Sequence, residues 1–209
     1  MPSPAQWTQF LSDALSRIGT ELAPGLNNRE LAAVEDAAGT TLPTELRLML
    51  TLALPVGPSA WRNWRTDPAA LLDTWREYVT EGLVVDARYS FWDDDQWGPR
   101  PATVAEREQL VRHKAAQLPR LFPMFGHRAL VIDPLPGLDS ADGNPVFSVH
   151  QTDVICYGND LADWCHTEFG LTLPDWAARQ PRRVPFWSAL GDPGRWSAPP
   201  AWMQRLDPL

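Results

Sequence analysis

The segment from Pro119 to Gly170 constrains the fold more than any other part of the chain, because turn-forming residues divide it into short apolar runs. Runs of this length that are rich in branched and aromatic side chains predict β-strands. The runs span Leu121 to Phe125, Ala129 to Ile132, Val146 to Val149 and Val154 to Tyr157. Between the second and third runs, Pro, Gly, Asp and Asn residues predict a loop, since these residues adopt turn conformations at little cost. The segment therefore predicts a β-sheet.

The last two runs predict a hairpin. Gln151, Thr152 and Asp153 form a polar break between them, so Val146 to Tyr157 is expected to fold as an antiparallel pair of strands. The final run is apolar at successive positions, which predicts that both of its faces are covered.

A helix is predicted directly after the hairpin. From Leu161 to Phe169 the apolar residues recur at helical spacing, and Gly170 is placed to end the helix. Either Asn159 or Asp160 is suited to cap its first turn. We expect this helix to pack back onto the sheet.

Helix-capping residues precede four apolar stripes in the first part of the chain. The predicted helices follow Ser3, Asn27, Thr44 and Asp67, and they end near Gly19, Gly39, Pro55 and Gly82. Thr20 to Leu26 is interpreted as a linker, and residues 57–66, with Trp61 and Trp64, as irregular.

The middle of the chain predicts one more strand and one more helix. Leu83 to Trp92 is rich in branched and aromatic residues and is expected to join the sheet as an extended run. Asp93 to Pro101 is expected to form a loop. Thr103 and Glu106 then form a capping box for a helix that reaches about Gln117.

These elements predict an α+β fold, in which a mixed or largely antiparallel sheet is surrounded by N-terminal helices. Residues 1–170 are assigned to one domain, because a chain of this length suits a single core. Residues 171–209 are rich in Pro and Trp and are interpreted as a tail that packs on the domain through its aromatic residues. A short helix is expected around Phe186 to Leu190.

Composition excludes several classes of function. A net charge of -8 is opposite to the basic surface that binding of nucleic acid requires. Lys114 is the only lysine, and no phosphate-binding P-loop motif occurs. Two cysteines, no signal peptide and no long apolar span lead us to expect a cytoplasmic protein that binds no membrane and uses no cofactor.

The acidic run is the strongest candidate for a binding site. Asp93, Asp94 and Asp95 are flanked by Trp92 and Trp97, a combination of carboxylates and large aromatic rings that suits a protein-binding face. A solvated loop and a metal site are the alternatives. Adjacent carboxylates diverge, whereas hard cations need oxygens that converge, so a metal is the weakest of the three.

The histidines and cysteines offer further candidates. His150, Cys156, Cys165 and His166 include zinc-binding atoms, and Cys156 with His150 and Asp153 could form a nucleophile, a base and an orienting acid. Neither set has the spacing of a known site, so core packing is favoured. Asp139 to Asn144 lacks the spacing of a calcium loop, and His127 with Arg128 either faces a cleft or only marks the start of a strand.

Several blocks of the chain resemble the SUKH superfamily, which includes the yeast regulators of cell-wall synthesis. Val34 to Leu50 contains the pattern of a glutamate, a glycine and Leu-Pro followed by a helix. Trp97 to Pro101, Gly143 to Val149, and Asp153 to Gly158 with the following helix resemble longer bacterial members. The resemblance covers about residues 28–170. Leu54 to Gly57 departs from it, since the family commonly has Asn-Gly there.

The resemblance implies a SUKH-like α+β domain without a catalytic centre. Many bacterial members are immunity proteins, which bind and neutralise a toxin from a neighbouring cell, often a nuclease. We therefore expect a non-enzymatic protein that binds a basic toxin domain through Trp92, Asp93, Asp94, Asp95 and Trp97, and an acidic chain suits such a partner. A scaffold or regulatory protein is the alternative, and a metal-dependent hydrolase is the third.

Overall fold

An antiparallel sheet of four strands lies at the centre of the fold. The computed structural model describes residues 2–57, 60–89, 91–135, 143–177, 180 and 182–191. The helices are α1 (Pro4–Arg17), α2 (Asn28–Ala38), α3 (Thr44–Leu52), α4 (Pro68–Tyr89), α5 (Asp94–Trp97), α6 (Val104–Ala115), α7 (Leu161–Phe169) and α8 (Trp187–Leu190). The strands are β1 (Leu22–Pro24), β2 (Ala53–Pro55), β3 (Leu121–Phe125), β4 (Arg128–Val131), β5 (Val146–His150) and β6 (Asp153–Gly158). Strands β3 to β6 pair in chain order, and β1 pairs with β2 in a separate small sheet. The predicted α+β class is confirmed.

Strands β3, β4 and β5 of the central sheet are buried on both faces. Their successive side chains point to opposite sides and enter two different cores. Phe122, Leu130 and Val146 pack into one core with α1, α2, α3 and α7. Val131 and Phe147 pack into a second core, formed mainly by α4, α6 and α8. The sheet is therefore the middle layer between two groups of helices.

The predicted caps are mostly confirmed. Ser3, Asn27 and Thr103 each form a capping box with the residue three positions later, and Asp160 caps α7. The prediction that Thr44 caps α3 is wrong, because Thr44 is already helical and Pro43 precedes it without a side-chain cap.

The prediction that Leu83 to Trp92 forms a strand is wrong, because α4 continues through Gly82 to Tyr89. Leu83, Val84 and Ala87 extend the buried stripe of the helix, and their burial outweighs the local preference for a strand. A Cβ atom at Gly82 would lie 3.1 Å from Gln151 Cα, so glycine here permits close contact with the β5–β6 turn.

Two further predictions about strands need correction. The expected linker from Thr20 to Leu26 contains β1, which pairs with β2. Strand β6 is not covered on both faces: it lies at the edge of the sheet, and Ile155 is 50% exposed. The chain at Gly191 covers part of this edge, since a Cβ atom there would lie 3.0 Å from the Val154 carbonyl oxygen.

The described part of the C-terminal segment packs on both cores. The Trp176 ring lies 4.7 Å from that of Trp7 in the first core. Trp187 is buried in the second core, where its indole N–H donates to the Pro119 carbonyl at 2.8 Å. Trp196 and Trp202, also expected to pack, lie outside the described residues. Within the described residues no helix combines the length and apolarity needed to cross a membrane.

The two faces of the β5–β6 hairpin should differ sharply in their contribution to stability. Phe147→Ala removes a ring that is fully buried, so we expect the free energy of unfolding to fall by about 3–5 kcal/mol. Ile155→Ala, on the adjacent strand, removes a half-exposed side chain and should cost less than about 1 kcal/mol. Urea denaturation measures both values. Equal losses of unfolding free energy in the two variants would contradict the assignment of Ile155 to an exposed face of β6.

Candidate functional site

The five residues predicted to bind a partner lie in and beside the short helix α5, where they divide into buried and exposed groups. Trp92 and Trp97 are buried, with their ring centroids 5.1 Å apart, and Trp97 also packs against Phe186. The Trp92 indole N–H donates to the Gly98 carbonyl at 2.8 Å. Both tryptophans therefore belong to the second core and are not available to a partner.

The three aspartates also have different roles. Asp93 is 3% exposed and is the N-cap of α5, where Oδ1 accepts from the Gln96 backbone N–H at 3.1 Å. Asp94 and Asp95 are exposed. The prediction that Asp93 to Pro101 is entirely loop is wrong, because Asp94–Trp97 forms the helical turn α5. As a docking surface it offers two carboxylates, and the predicted flanking rings are not exposed beside them.

The histidines and cysteines do not converge. His150 pairs with Asp153, whereas Cys156 pairs with Phe147 three positions along the strands, a separation of about 10 Å. Cys165 is buried, and burial raises the pKa of its thiol far above the ordinary value. Among the described residues, no group of three or more His, Cys, Asp or Glu side chains is placed to hold a metal ion. Asp139 and Asp142 of the calcium-like sequence lie outside these residues.

Arg128 is a structural residue at the start of β4. Its Nε donates to Glu168 Oε2 at 2.8 Å, and its Nη1 donates to Ser148 Oγ at 3.1 Å. The guanidinium carbon lies 4.0 Å from the centroid of the Tyr157 ring. Because the Arg128 and Glu168 side chains are only 14% and 15% exposed, this ion pair ties the sheet to α7. His127, its neighbour in the predicted cleft-facing pair, is exposed.

An exposed aromatic surface lies on α4, and sequence reasoning missed it. Tyr78, Val85 and Tyr89 are 41%, 37% and 69% exposed. They lie on one side of the helix with Glu77 and Glu81, because residues at spacings of three, four and seven share a helix face. We call these five residues the α4 face. The sequence signal was present, but it was hidden when residues 83–92 were interpreted as a strand.

A buried carboxyl group lies on the opposite side of the sheet. Glu45 is fully buried in α3, and its Oε1 accepts from the Asn144 backbone N–H at 2.7 Å. Its Oε2 atom is buried and makes no hydrogen bond with the part of the chain that the structure describes. Burial raises the pKa of Glu45 to about 7, and the nearby Asp160 also raises it, whereas the Asn144 N–H and Arg182 lower it. Glu45 therefore titrates near neutral pH.

Comparisons with protein-family models, with curated proteins and with solved structures find no significant match. The resemblance to the SUKH superfamily consequently stays a prediction. The candidate site is assigned from its residues alone.

The raised pKa of Glu45 predicts how stability depends on pH. The folded state holds this proton more tightly than the unfolded state, whose ordinary value is 4.5, so the contribution to stability is full below about pH 4.5. This contribution, up to about 3 kcal/mol of the free energy of unfolding, is lost as the pH rises to about 7. Glu45→Gln cannot titrate, so its stability relative to wild type should rise over this interval.

Urea denaturation at several pH values tests this expectation. The exposed Glu77→Gln is the control for loss of one carboxylate from the acidic chain. The free energy of unfolding is plotted against pH for wild type and Glu45→Gln. If the two curves stay parallel from pH 4.5 to pH 8, burial does not shift the pKa of Glu45.

Proposed function

We propose that this chain is a non-enzymatic, cytoplasmic protein-binding module that neutralises a basic protein partner, in the manner of an immunity protein. The resemblance of residues 28–170 to the SUKH superfamily supports the class of function. The α+β fold is compatible with it, but many functions share that class of fold.

The α4 face is the observation that carries the proposal. Tyr78, Val85 and Tyr89 are three of the six large hydrophobic residues that are most exposed among the described residues, and all three lie on one helix face. Tyrosine is enriched at the energetic centres of protein interfaces, since it buries a large ring and keeps a hydroxyl group for hydrogen bonding. An exposed row of this kind suits a docking surface.

Charge favours a basic partner. Glu77 is exposed and forms no ion pair among the described residues, whereas Glu81 pairs with Arg112 of α6. Asp94 and Asp95 are exposed on α5, which follows α4 after four residues. Together with the net charge of -8, these carboxylates would attract a basic surface and speed its association.

Inhibition by such a surface needs no reactive group. A nuclease toxin carries a basic groove for the phosphate backbone, and an acidic, aromatic face that covers the groove prevents substrate from entering. In this mechanism the tyrosines provide most of the affinity and the carboxylates orient the complex. Trp92, Asp93 and Trp97 act indirectly, because they hold α5 against the second core.

The partner is identified by affinity capture from the native host and mass spectrometry, and it is then purified for isothermal titration calorimetry. Tyr89→Ser should weaken binding by about thirtyfold or more, which corresponds to the roughly 2 kcal/mol of an interface hot spot. Ile155→Ser is the control, since Ile155 is also an exposed apolar residue and lies on β6, away from the α4 face.

Two further measurements decide the function and the face. Co-expression of the chain with a toxic partner should restore growth, and a partner without toxicity would favour the regulatory alternative. Unchanged affinity in both Tyr78→Ser and Tyr89→Ser would exclude the α4 face as the docking surface. Asp94→Asn with Asp95→Asn should slow association and reduce its dependence on salt.

A further inference from the structure

A groove that adjoins the α4 face at Tyr78 lies beside the turn between β3 and β4. Its volume is about 360 Å³ and it opens to solvent. The lining residues come from three parts of the chain: Arg62, then Leu71, Thr74, Trp75 and Tyr78 of α4, then Gly126 and His127 of the turn. None of these residues is acidic, although the chain as a whole carries a net charge of -8.

Arg62 gives the groove a positive charge that forms no ion pair with a carboxylate of the described residues. Its Nη2 donates to the Gly126 carbonyl at 3.0 Å, while its Nη1 atom is buried and makes no hydrogen bond with the described residues. The guanidinium carbon lies 5.7 Å from the centroid of the Trp75 ring. Burial lowers the pKa of Arg62, which is the sign of a charge held without a compensating anion.

The other polar groups of the groove can donate hydrogen bonds. His127 Nε2 contacts Arg128 Nη1, and because a guanidinium only donates, neutral His127 must carry its own proton on Nδ1. The Tyr78 hydroxyl lies 2.9 Å from His150 Nδ1 and donates to the Val149 carbonyl at 3.4 Å, a long hydrogen bond that an oxyanion in the groove would replace, and Thr74 provides a second hydroxyl group. These donors and the charge of Arg62 favour one class of ligand.

We propose that this groove binds the phosphate or carboxylate group of a small organic molecule. Arg62 compensates the charge of the oxyanion, and His127, Tyr78 and Thr74 donate hydrogen bonds to it. Leu71 and Trp75 contact the apolar part of the molecule, and the volume of the groove suits a ligand of this size.

A role for Arg62 in the fold alone does not account for these features. Holding the Gly126 turn uses one of five donors and does not require a charge, whereas a partly buried charge without a paired anion is costly.

Isothermal titration calorimetry with phenyl phosphate, benzoate and benzylamine tests the proposal on the full chain. Phenyl phosphate or benzoate should bind to wild type, and the tighter of the two identifies the preferred oxyanion. Benzylamine, a cation of similar size, should not bind. Arg62→Met should weaken anion binding at least tenfold, which is the effect of about 1.4 kcal/mol, whereas Arg183→Met on the exposed surface should leave it unchanged.

A second readout keeps the test decisive if Arg62→Met proves unfolded by circular dichroism. The ring resonances of His127 should shift on titration with phenyl phosphate or benzoate, and His127→Gln, at an exposed position, should weaken binding severalfold. Absence of binding to wild type, or equal binding by the Arg62 or His127 variants, would overturn the proposal. Neither measurement requires the protein partner, so the result is independent of the proposed immunity function.

Discussion

Burial of both faces of the central sheet along β3, β4 and β5 is the constraint on which the rest of the structure depends. In β3, β4 and β5, neighbouring side chains enter opposite cores, so helices must cover each side. Helix α4 serves both cores, since Leu72 near its start packs into the first and Leu83 and Val84 pack into the second. Most polar groups lie at the rims, and the buried exceptions among the described residues are Glu45, Asp93, Ser148 and Asp160.

The sequence predicted the elements whose signals are local. The strands β3 to β6 were bounded correctly to within one or two residues, because turn residues separate them. Three predicted capping boxes are present, since a cap depends on residues only three positions apart. The error at Leu83 to Trp92 has the opposite origin. Burial of these residues in the second core outweighs their local β propensity. The helix contains Gly82 because Gln151 lies too close to this position for a larger side chain.

The candidate site was harder to predict, because the local sequence does not indicate whether a tryptophan beside a carboxylate faces the core or the solvent. Burial of one indole ring removes roughly 150–250 Å² from water, so a core that can accept Trp92 or Trp97 will usually do so. Asp93 then becomes a helix cap at the edge of that core. The groove had no signal of its own, since Arg62, Tyr78 and His127 are distant in sequence and meet only after α4 packs on the sheet.

The two proposed binding regions share one side chain, and this has a thermodynamic consequence. Tyr78 belongs to the α4 face, yet it also lines the groove and contacts His150. An oxyanion that takes a hydrogen bond from the Tyr78 hydroxyl changes the side chain that a partner would contact, so the two binding equilibria must be coupled.

By linkage, a ligand that strengthens or weakens partner binding is itself bound more or less tightly by the same factor once the partner is present. Tyr89 lies 11 residues further along α4, roughly 16 Å at 1.5 Å per residue, and is not among the residues that line the groove, so we expect its contact with the partner to be less affected by the anion. The loss of partner affinity caused by substitution of Tyr78 is therefore compared with the loss caused by substitution of Tyr89, with and without the anion. This comparison separates direct contact with the partner from coupling to the groove.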